Sequence, residues 1–397
     1  MDSERQTGMR IGVIGYGLRA HSVLNEALRL VASDVVLAGI VDPDEAGVRA
    51  KLAPADRGVK FYASMAELVK QAKPDALFIG TRCNLHTPLA IEAKPYGLPL
   101  YLEKPVAISL EQANALETSW RGAFNRVVVS FPLRVSPLCV KARAEIAAGL
   151  VGTPLHVAGL NYVNYGSVYF GQGYRDYAVT QGLFLQKATH DLDYLMYLMN
   201  EPIVRIGAME TKGKTFGGNK PAELRCRDCA ERETCLESPK NTKRNSSGSP
   251  NGDDRLCVFS AACGTPQSGM NEDASSAVFE FASGAHGVYT QVFFARRDAG
   301  RRGAIVSGYQ GTLSFDWSTA EINCIQHHAP FSSVIRHKSD AGHFGGDLEL
   351  ADDFINLVKY GQTPRATLRE GLQSVYACLA AKESAATGKF AWVRQVG

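Results

Sequence analysis

Residues 10–20 read RIGVIGYGLRA, and the reading of this stretch decides the fold. Residues 10–15 (RIGVIG) are apolar and rich in β-branched side chains, which predicts a buried strand. Gly15-Tyr16-Gly17-Leu18-Arg19-Ala20 follows, then the helix-like HSVLNEALRLV. A bare G-x-G-x-x-A also marks tight turns that hold no ligand. Here it has a strand before it and a helix after it, the setting of a dinucleotide site. Gly15 permits a tight turn, Gly17 lets the backbone approach a pyrophosphate, and Ala20 is small enough for close helix–strand packing. The helix N-terminus then offers free N–H groups and its positive dipole end to phosphates.

Working outward, VVLAGIVD (35–42) is a second strand that ends in Asp42. An acidic side chain there accepts hydrogen bonds from ribose hydroxyls and repels a 2′-phosphate, which favours NAD over NADP. The simpler alternative is that Asp42 starts a turn with Pro43. PDALFIGT (74–81), LPLYLEKP (98–105) and RVVVSFPL (126–133), the last read as a sixth strand, continue the pattern. Helices are expected near 86–96 and over SLEQANALETSW (109–120). Alternating strands and helices imply an α/β, doubly wound parallel sheet with ligands at the carboxyl ends of its strands. Thr81, Arg82, Asn84 and His86 follow one such end; Glu103, Lys104 and Pro105 follow another.

Of 397 residues, 45% are apolar and 21% charged, which is ordinary for a globular chain of two domains. A formal net charge of +3 gives no electrostatic case for nucleic acid or a membrane surface. No apolar run approaches the roughly 18 residues that a membrane helix needs. MDSERQTGMR lacks an apolar signal core, so a cytoplasmic protein is expected. Nine cysteines read as reduced thiols or metal ligands rather than a disulfide framework.

QKATHDLDYLMYLM (186–199) places Leu192, Leu195, Met196 and Met199 on one helical stripe. Its first turn carries Gln186, Lys187, His190, Asp191 and Asp193. His190 and Asp193 are i, i+3 neighbours that can share a face. They suit either proton transfer or a cap-and-bridge pair at a helix start.

Four features resemble the glucose–fructose oxidoreductase / inositol dehydrogenase / rhizopine-catabolism (Gfo/Idh/MocA) family. They are YGLRA with Asp42, GTRCNLHTPLAIEA (80–93), YLEKPVA (101–107) and the helix at 186–199. The resemblance implies a Rossmann NAD-binding domain over 1–131. A substrate and oligomerisation α/β domain with an open, mostly antiparallel sheet would span 132–397, with the substrate between the two. The cofactor-binding set it implies is Gly15, Tyr16, Gly17, Leu18, Arg19, Asp42, Thr81, Asn84, His86, Glu103 and Lys104. Lys104 takes the place of the family lysine. His190 takes that of the histidine in a D-x-G-x-H-x-x-D pattern, with Asp193 at its last position. Gln186 and Ala188 depart from that pattern, and Lys187 is an added cation. Lys104 and His190 are thereby the expected proton-transfer pair. Gln186 and Lys187 are expected to hold substrate hydroxyls or an anionic substituent. Arg134, Tyr162, Tyr174, Arg175 and His343 are further candidates for the cleft. A homodimer or homotetramer is the usual state of the family.

LHVAGLNYV (155–163), IVRIGAME (203–210), SSAVFEFA (275–282), AHGVYTQVFFA (285–295), GAIVSGY (303–309), GTLSFDW (311–317) and AEINCIQHH (320–328) read as strands. Helices close the chain within 345–388. An insertion over 213–257 carries Cys226, Cys229, Cys235 and Cys257, and its NTKRNSSGSPNGDD reads as a loop with few core-forming residues. Four soft ligands predict a structural zinc, with an iron–sulfur cluster as the alternative and unligated thiols as the plain one. Arg296, Arg297, Arg301 and Arg302 fit either an anion site or a solvated hairpin tip.

Three functions follow. The first is an NAD-dependent oxidoreductase acting on a secondary ring hydroxyl of a sugar, glycoside or cyclitol. The second is an NAD-dependent glycosidase working by transient oxidation at the third sugar carbon, on an anionic glycoside such as a sulfoquinovoside. The third is a non-catalytic NAD- and sugar-sensing regulator.

Overall fold

The computed structural model describes residues 8–242, 252–337, 339 and 341–397. The readings of the first seven residues and of 243–251 within the insertion lie outside the described residues. The chain forms two compact units. The first is Met1–Pro137 with Ser339–Val375 and Val396; the second is Leu138–Lys338 with Tyr376–Gln395 and Gly397. The segment 345–388, read from sequence as wholly part of the second domain, is therefore shared. Its helix Gly346–Tyr360 belongs to the first unit.

The first unit holds five parallel strands: β1 (Arg10–Ile14), β2 (Val36–Val41), β3 (Ala76–Ile79), β4 (Leu100–Leu102) and β5 (Val127–Val129). Their order is β2-β1-β3-β4-β5. The residues 126–133 thus supply the fifth strand, not a sixth; Phe61 adds only an isolated parallel bridge to Ile40. β3, β4 and β5 are buried along their whole length. Uninterrupted apolar strands are what a sheet covered on both faces requires. The order reverses between β1 and β3, so the crevice for a ligand opens at the ends of those two strands. Ile14 pairs with Ile79, which sets the glycine turn beside the loop at Thr81.

The second unit is a nine-stranded sheet. Its strands are β6 (Pro154–Tyr162), β7 (Ile203–Thr211), β8 (Ala274–Phe281), β9 (His286–Val292), β10 (Arg301–Gly308), β11 (Gly311–Asp316), β12 (Glu321–Gln326), β13 (Ser332–Arg336) and β14 (Ala391–Trp392). The order is β13-β12-β11-β10-β6-β9-β8-β7-β14, antiparallel except for β6 with β9. The sequence reading missed β13, whose residues are mostly exposed and carry no buried alternation.

Burial alternates along β8 and β9, as expected of a sheet with one packed face. The helix Thr189–Met199 lies on that face: a Cβ on Gly159 of β6 would meet the Leu195 side chain at 2.7 Å. Only glycine lets the helix come so close. Leu192, Leu195 and Leu198 are fully buried, each contributing about 1.5–3 kcal/mol. The other face is open. Val278, Val288, Ala158 and Ile305 stand side by side on it across four strands.

Candidate active site

At the end of β1, Gly15 has φ +80°, and a Cβ there would meet Thr81 at 2.6 Å. Both facts demand glycine. A Cβ on Gly17 would meet nothing nearer than the Gly80 carbonyl at 3.8 Å, so its outer side is open to an approaching group. Ala20 is buried against Gly80, the close contact its size predicted. Asp42 accepts the Tyr16 N–H at 2.8 Å and the Asp44 N–H at 2.9 Å. It is thus held at the end of β2 with lone pairs to spare for ribose hydroxyls. The Asn84 Oδ1 is buried without a partner, an acceptor in search of a donor. These features fit a dinucleotide.

Not every predicted cofactor residue faces outward. The Tyr16 side chain is 1% exposed and turns into the unit, its hydroxyl near Asn25 and His21. Leu18 is exposed. The Arg19 guanidinium is committed to Asp347 at 2.6 and 2.9 Å, Glu103 at 3.2 Å and Ser130 at 3.3 Å. Burial pushes the Asp347 carboxyl up, but hydrogen bonds from Arg19 and His343 outweigh it and hold it well below the usual carboxylate range. His343, expected in the substrate cleft, sits at Asp347 in the first unit with left-handed backbone. Arg134 is buried on the helix Pro132–Val135 of the same unit.

His86 is buried between two carbonyls, Pro105 at 2.7 Å and Thr81 at 3.1 Å. Burial pushes its imidazole below the usual value, so the ring is neutral and donates to one of them. It ties the β3 loop to the β4 loop. Lys104 is partly exposed between two held neighbours, Glu103 gripped by Arg19 and Pro105 by His86.

In the second unit, a π-helical turn, Phe184–Ala188, leads into the helix Thr189–Met199. Gln186 and Lys187 are each 5% exposed, His190 is 6% exposed, and Asp191 and Asp193 have no exposed surface. Asp193 is therefore enclosed within the second unit. Asp191 is the hub. It accepts from Tyr289 at 2.7 Å, Arg302 at 2.8 Å and Asn161 at 2.9 Å. The strand register explains the convergence. Ser275, Gln291, Asn161 and Arg302 stand in one row on the packed face of β8, β9, β6 and β10.

Lys187 Nζ donates to the Tyr165 hydroxyl at 2.6 Å and lies over the Tyr165 and Tyr169 rings at 4.9 and 5.8 Å. Tyr165 and Asn161 were not singled out from the sequence. For Asn161 the signal available was a polar residue at a core-phase position of a strand. Tyr162 and Tyr174 are 40% exposed. Arg175 is tied to the insertion through the Ala222 carbonyl and Glu223.

In the arginine segment Arg297 is exposed and the other three arginines are held in ion pairs. Arg296 pairs with Glu237, Arg301 with Asp316 and Arg302 with Asp191. Cys226, Cys229, Cys235 and Cys257 do line one cavity of about 20 Å3, with Lys220 and Arg255 beside them. Yet among the described residues no group of three or more His, Cys, Asp or Glu side chains is arranged to hold a metal ion. The zinc and iron–sulfur expectations thus find no support in the ligand geometry, which is the stricter test. All nine cysteines are free thiols. The described part of the insertion is also better anchored than expected: Arg255 is 2% exposed and pairs with Glu237, and Phe216 stacks on Phe170 at 4.2 Å.

No helix among the described residues is long and apolar enough to cross a membrane. Residues 9–131 match the NAD-binding Rossmann fold of an oxidoreductase family, and residues 143–394 match that family's C-terminal alpha/beta domain. The chain is 24% identical over 319 residues to YteT of Bacillus subtilis, a protein named as an oxidoreductase, covering 73% of this chain and 74% of that one. It is 27% identical over 210 residues to myo-inositol 2-dehydrogenase of Thermotoga maritima, covering 50% and 58%. It is 26% identical over 197 residues to inositol 2-dehydrogenase 2 of Saccharopolyspora erythraea, covering 49% and 55%. The match thus spans little more than half the length of these inositol dehydrogenases. In fold, the chain is similar to levoglucosan dehydrogenase in complex with NADH, with TM-score 0.74, 17% identity, and 98% and 100% of the two chains covered. An NAD-binding oxidoreductase from Klebsiella pneumoniae gives 0.72, 20%, 98% and 100%. With both domain models matched in order over nearly its whole length, the chain belongs to the Gfo/Idh/MocA family and is an NAD-binding oxidoreductase.

Proposed function

We propose that the protein is an NAD-dependent dehydrogenase acting on a secondary ring hydroxyl of a sugar, glycoside or cyclitol. The observation that carries this reading is the cradle at β1 and β3: a left-handed Gly15 against Thr81, an open Gly17, and Asp42 held at the end of β2. Asp42 is the residue that selects NAD over NADP. When bound, NAD supplies the hydride acceptor. This chain's part is orientation and the handling of the hydroxyl proton. Lys104 and His190 are the proposed proton-transfer pair. Glu103 and His86 fix the backbone on either side of Lys104. Asp191, the hub next to His190, fixes the start of its helix. Gln186 cannot act as a base, so it serves as a hydrogen-bonding group.

Two inositol dehydrogenases among the relatives and a levoglucosan dehydrogenase among the similar folds support a cyclitol or sugar as substrate. A second copy of the chain is proposed to cover the open face of the nine-stranded sheet, where Val278, Val288 and Ile305 are 46%, 39% and 42% exposed.

Incubation with NAD and a panel of neutral and acidic glycosides and cyclitols tests the activity, with NADH absorbance and released sugar followed together. Net NADH is the expected result. Aglycone release with no net NADH would replace the dehydrogenase by the redox-neutral glycosidase. Neither product from any of the panel, with NAD binding kept in the wild type and in Lys104→Ala alike, would favour a sensor.

A further inference from the structure

The charges around Lys187 do not cancel. Arg302 and Asp191 form a buried ion pair at 2.8 Å and neutralise each other. Lys187, 5% exposed, has one direct polar partner, the phenol of Tyr165, and no carboxylate within ion-pair distance among the described residues. An ammonium has three donors, and Tyr165 takes one. The aromatic faces of Tyr165 and Tyr169 offer a cation–π environment. They do not supply an anion. Arg302 adds repulsion. A buried cation without a counter-charge is costly, and the cost is relieved by an incoming anion.

Tyr165 is the half-buried member of the pair and Lys187 the buried one. We propose that the substrate is an anionic sugar or cyclitol, carrying a carboxylate, sulfonate or phosphate, and that Lys187 recognises this group with Tyr165 as its guide. The inference rests on the carbohydrate dehydrogenase reading and names its substrate class. Of the candidates the sequence offered for an anion, it selects Lys187 over Arg296, Arg301 and Arg302, which pair with Glu237, Asp316 and Asp191.

The directions of titration agree with this electrostatics. Burial pushes the Lys187 ammonium below its usual value, with Arg302 adding to the effect and Tyr165 and Asp191 opposing it. Burial pushes the Tyr165 phenol up, but Lys187 and Arg302 outweigh it and bring it below its usual value. Tyr165 therefore sits in a field with an excess of positive charge, while Lys187 is held down by burial; an anionic ligand beside the pair would offset both.

The test is equilibrium binding by calorimetry on the full chain, with no turnover required. The probes are glucose, glucuronate, a glucose 6-sulfonate and glucose 6-phosphate. At least one anionic sugar is expected to bind about tenfold or more tighter than glucose, a difference of about 1.4 kcal/mol. Lys187→Met should abolish that preference, and Lys187→Arg should keep most of it. NAD affinity, read on the first unit, should be unchanged in both variants, and a cooperative denaturant transition shows that the second unit is folded. Tyr165→Phe should weaken the preference about threefold. The three anionic arms distinguish which group is taken. Equal binding of glucose and all three anions would overturn the proposal, as would a preference that survives in Lys187→Met. If Lys187→Met does not fold, the wild-type preference and its retention in Lys187→Arg still decide. A chain that prefers the anions but makes no NADH with any of them would refute the dehydrogenase reading and leave this recognition site standing.

Discussion

Arg19 and Asp191 occupy opposite roles in the two units. Arg19 is a cation between two carboxylates, Glu103 and Asp347. Asp191 is a carboxylate served by one cation, Arg302, and two neutral donors, Asn161 and Tyr289. The first cluster is a brace that fixes the backbone beside Lys104. The second neutralises only one of its two nearby cations and leaves Lys187 with a phenol. A charge cluster that closes on itself holds a fold in place; one that leaves a charge over is built to receive something.

The sharpest test of that contrast is Asp191→Ala. It strands a largely buried Arg302 and removes the acceptor shared by three strands, so a loss of about 3–5 kcal/mol is expected in denaturant unfolding. A loss below about 1 kcal/mol would show that the hub is not structural. Arg19→Met should cost less, about 2–3 kcal/mol, because the Arg19 side chain is 25% exposed.

The same variant has a pH signature. Asp347 is depressed in the folded chain, so its stabilisation is complete above the unfolded carboxylate pKa of about 4 and is lost as pH falls below it. The acid-side slope of stability should shrink in Arg19→Met; an unchanged slope would remove Asp347 from the brace.

Glu272 gives the opposite sign. Burial, reinforced by Glu210, raises its carboxyl to about 8. The folded chain then keeps a proton that the unfolded chain releases, so stability falls as pH rises from about 4.5 to about 8. Glu272→Gln should flatten that fall, by up to a few kcal/mol at alkaline pH. The smallest structural effect is expected of Asp42→Ala, which loses two backbone hydrogen bonds at a half-buried site. Melting should barely move, while the preference for NAD over NADP falls roughly tenfold. A preference that does not change would assign Asp42 to the turn alone.

The two clusters also differ in how far the sequence exposes them. Gly15, Gly17, Ala20 and Asp42 were readable because their roles follow from neighbours in the chain: a strand, a turn, a helix start, a strand end. The role proposed for His190 comes from the resemblance. The resemblance gave Arg19 as a cofactor contact, and no local pattern showed that its guanidinium is taken by Asp347, 328 residues away. The cysteine spacing was read as a ligand set, but spacing does not fix the directions in which four thiols point. β13 escaped because an exposed edge strand carries little apolar alternation.

By itself, then, the sequence determined the nucleotide-binding half: local φ requirements, strand-to-helix alternation and one acidic strand end are properties of short stretches. It also determined that a polar helix mouth sits on an apolar stripe. Only the tertiary structure decided what that mouth contacts. Asn161, Tyr289 and Arg302 lie 30, 98 and 111 residues from Asp191, and sheet register alone brings them to it. The same register, by spending Arg302 on Asp191, leaves Lys187 as the cation without a counter-charge. Charge balance in a low-dielectric interior is a sum over neighbours in space, which a one-dimensional pattern does not contain.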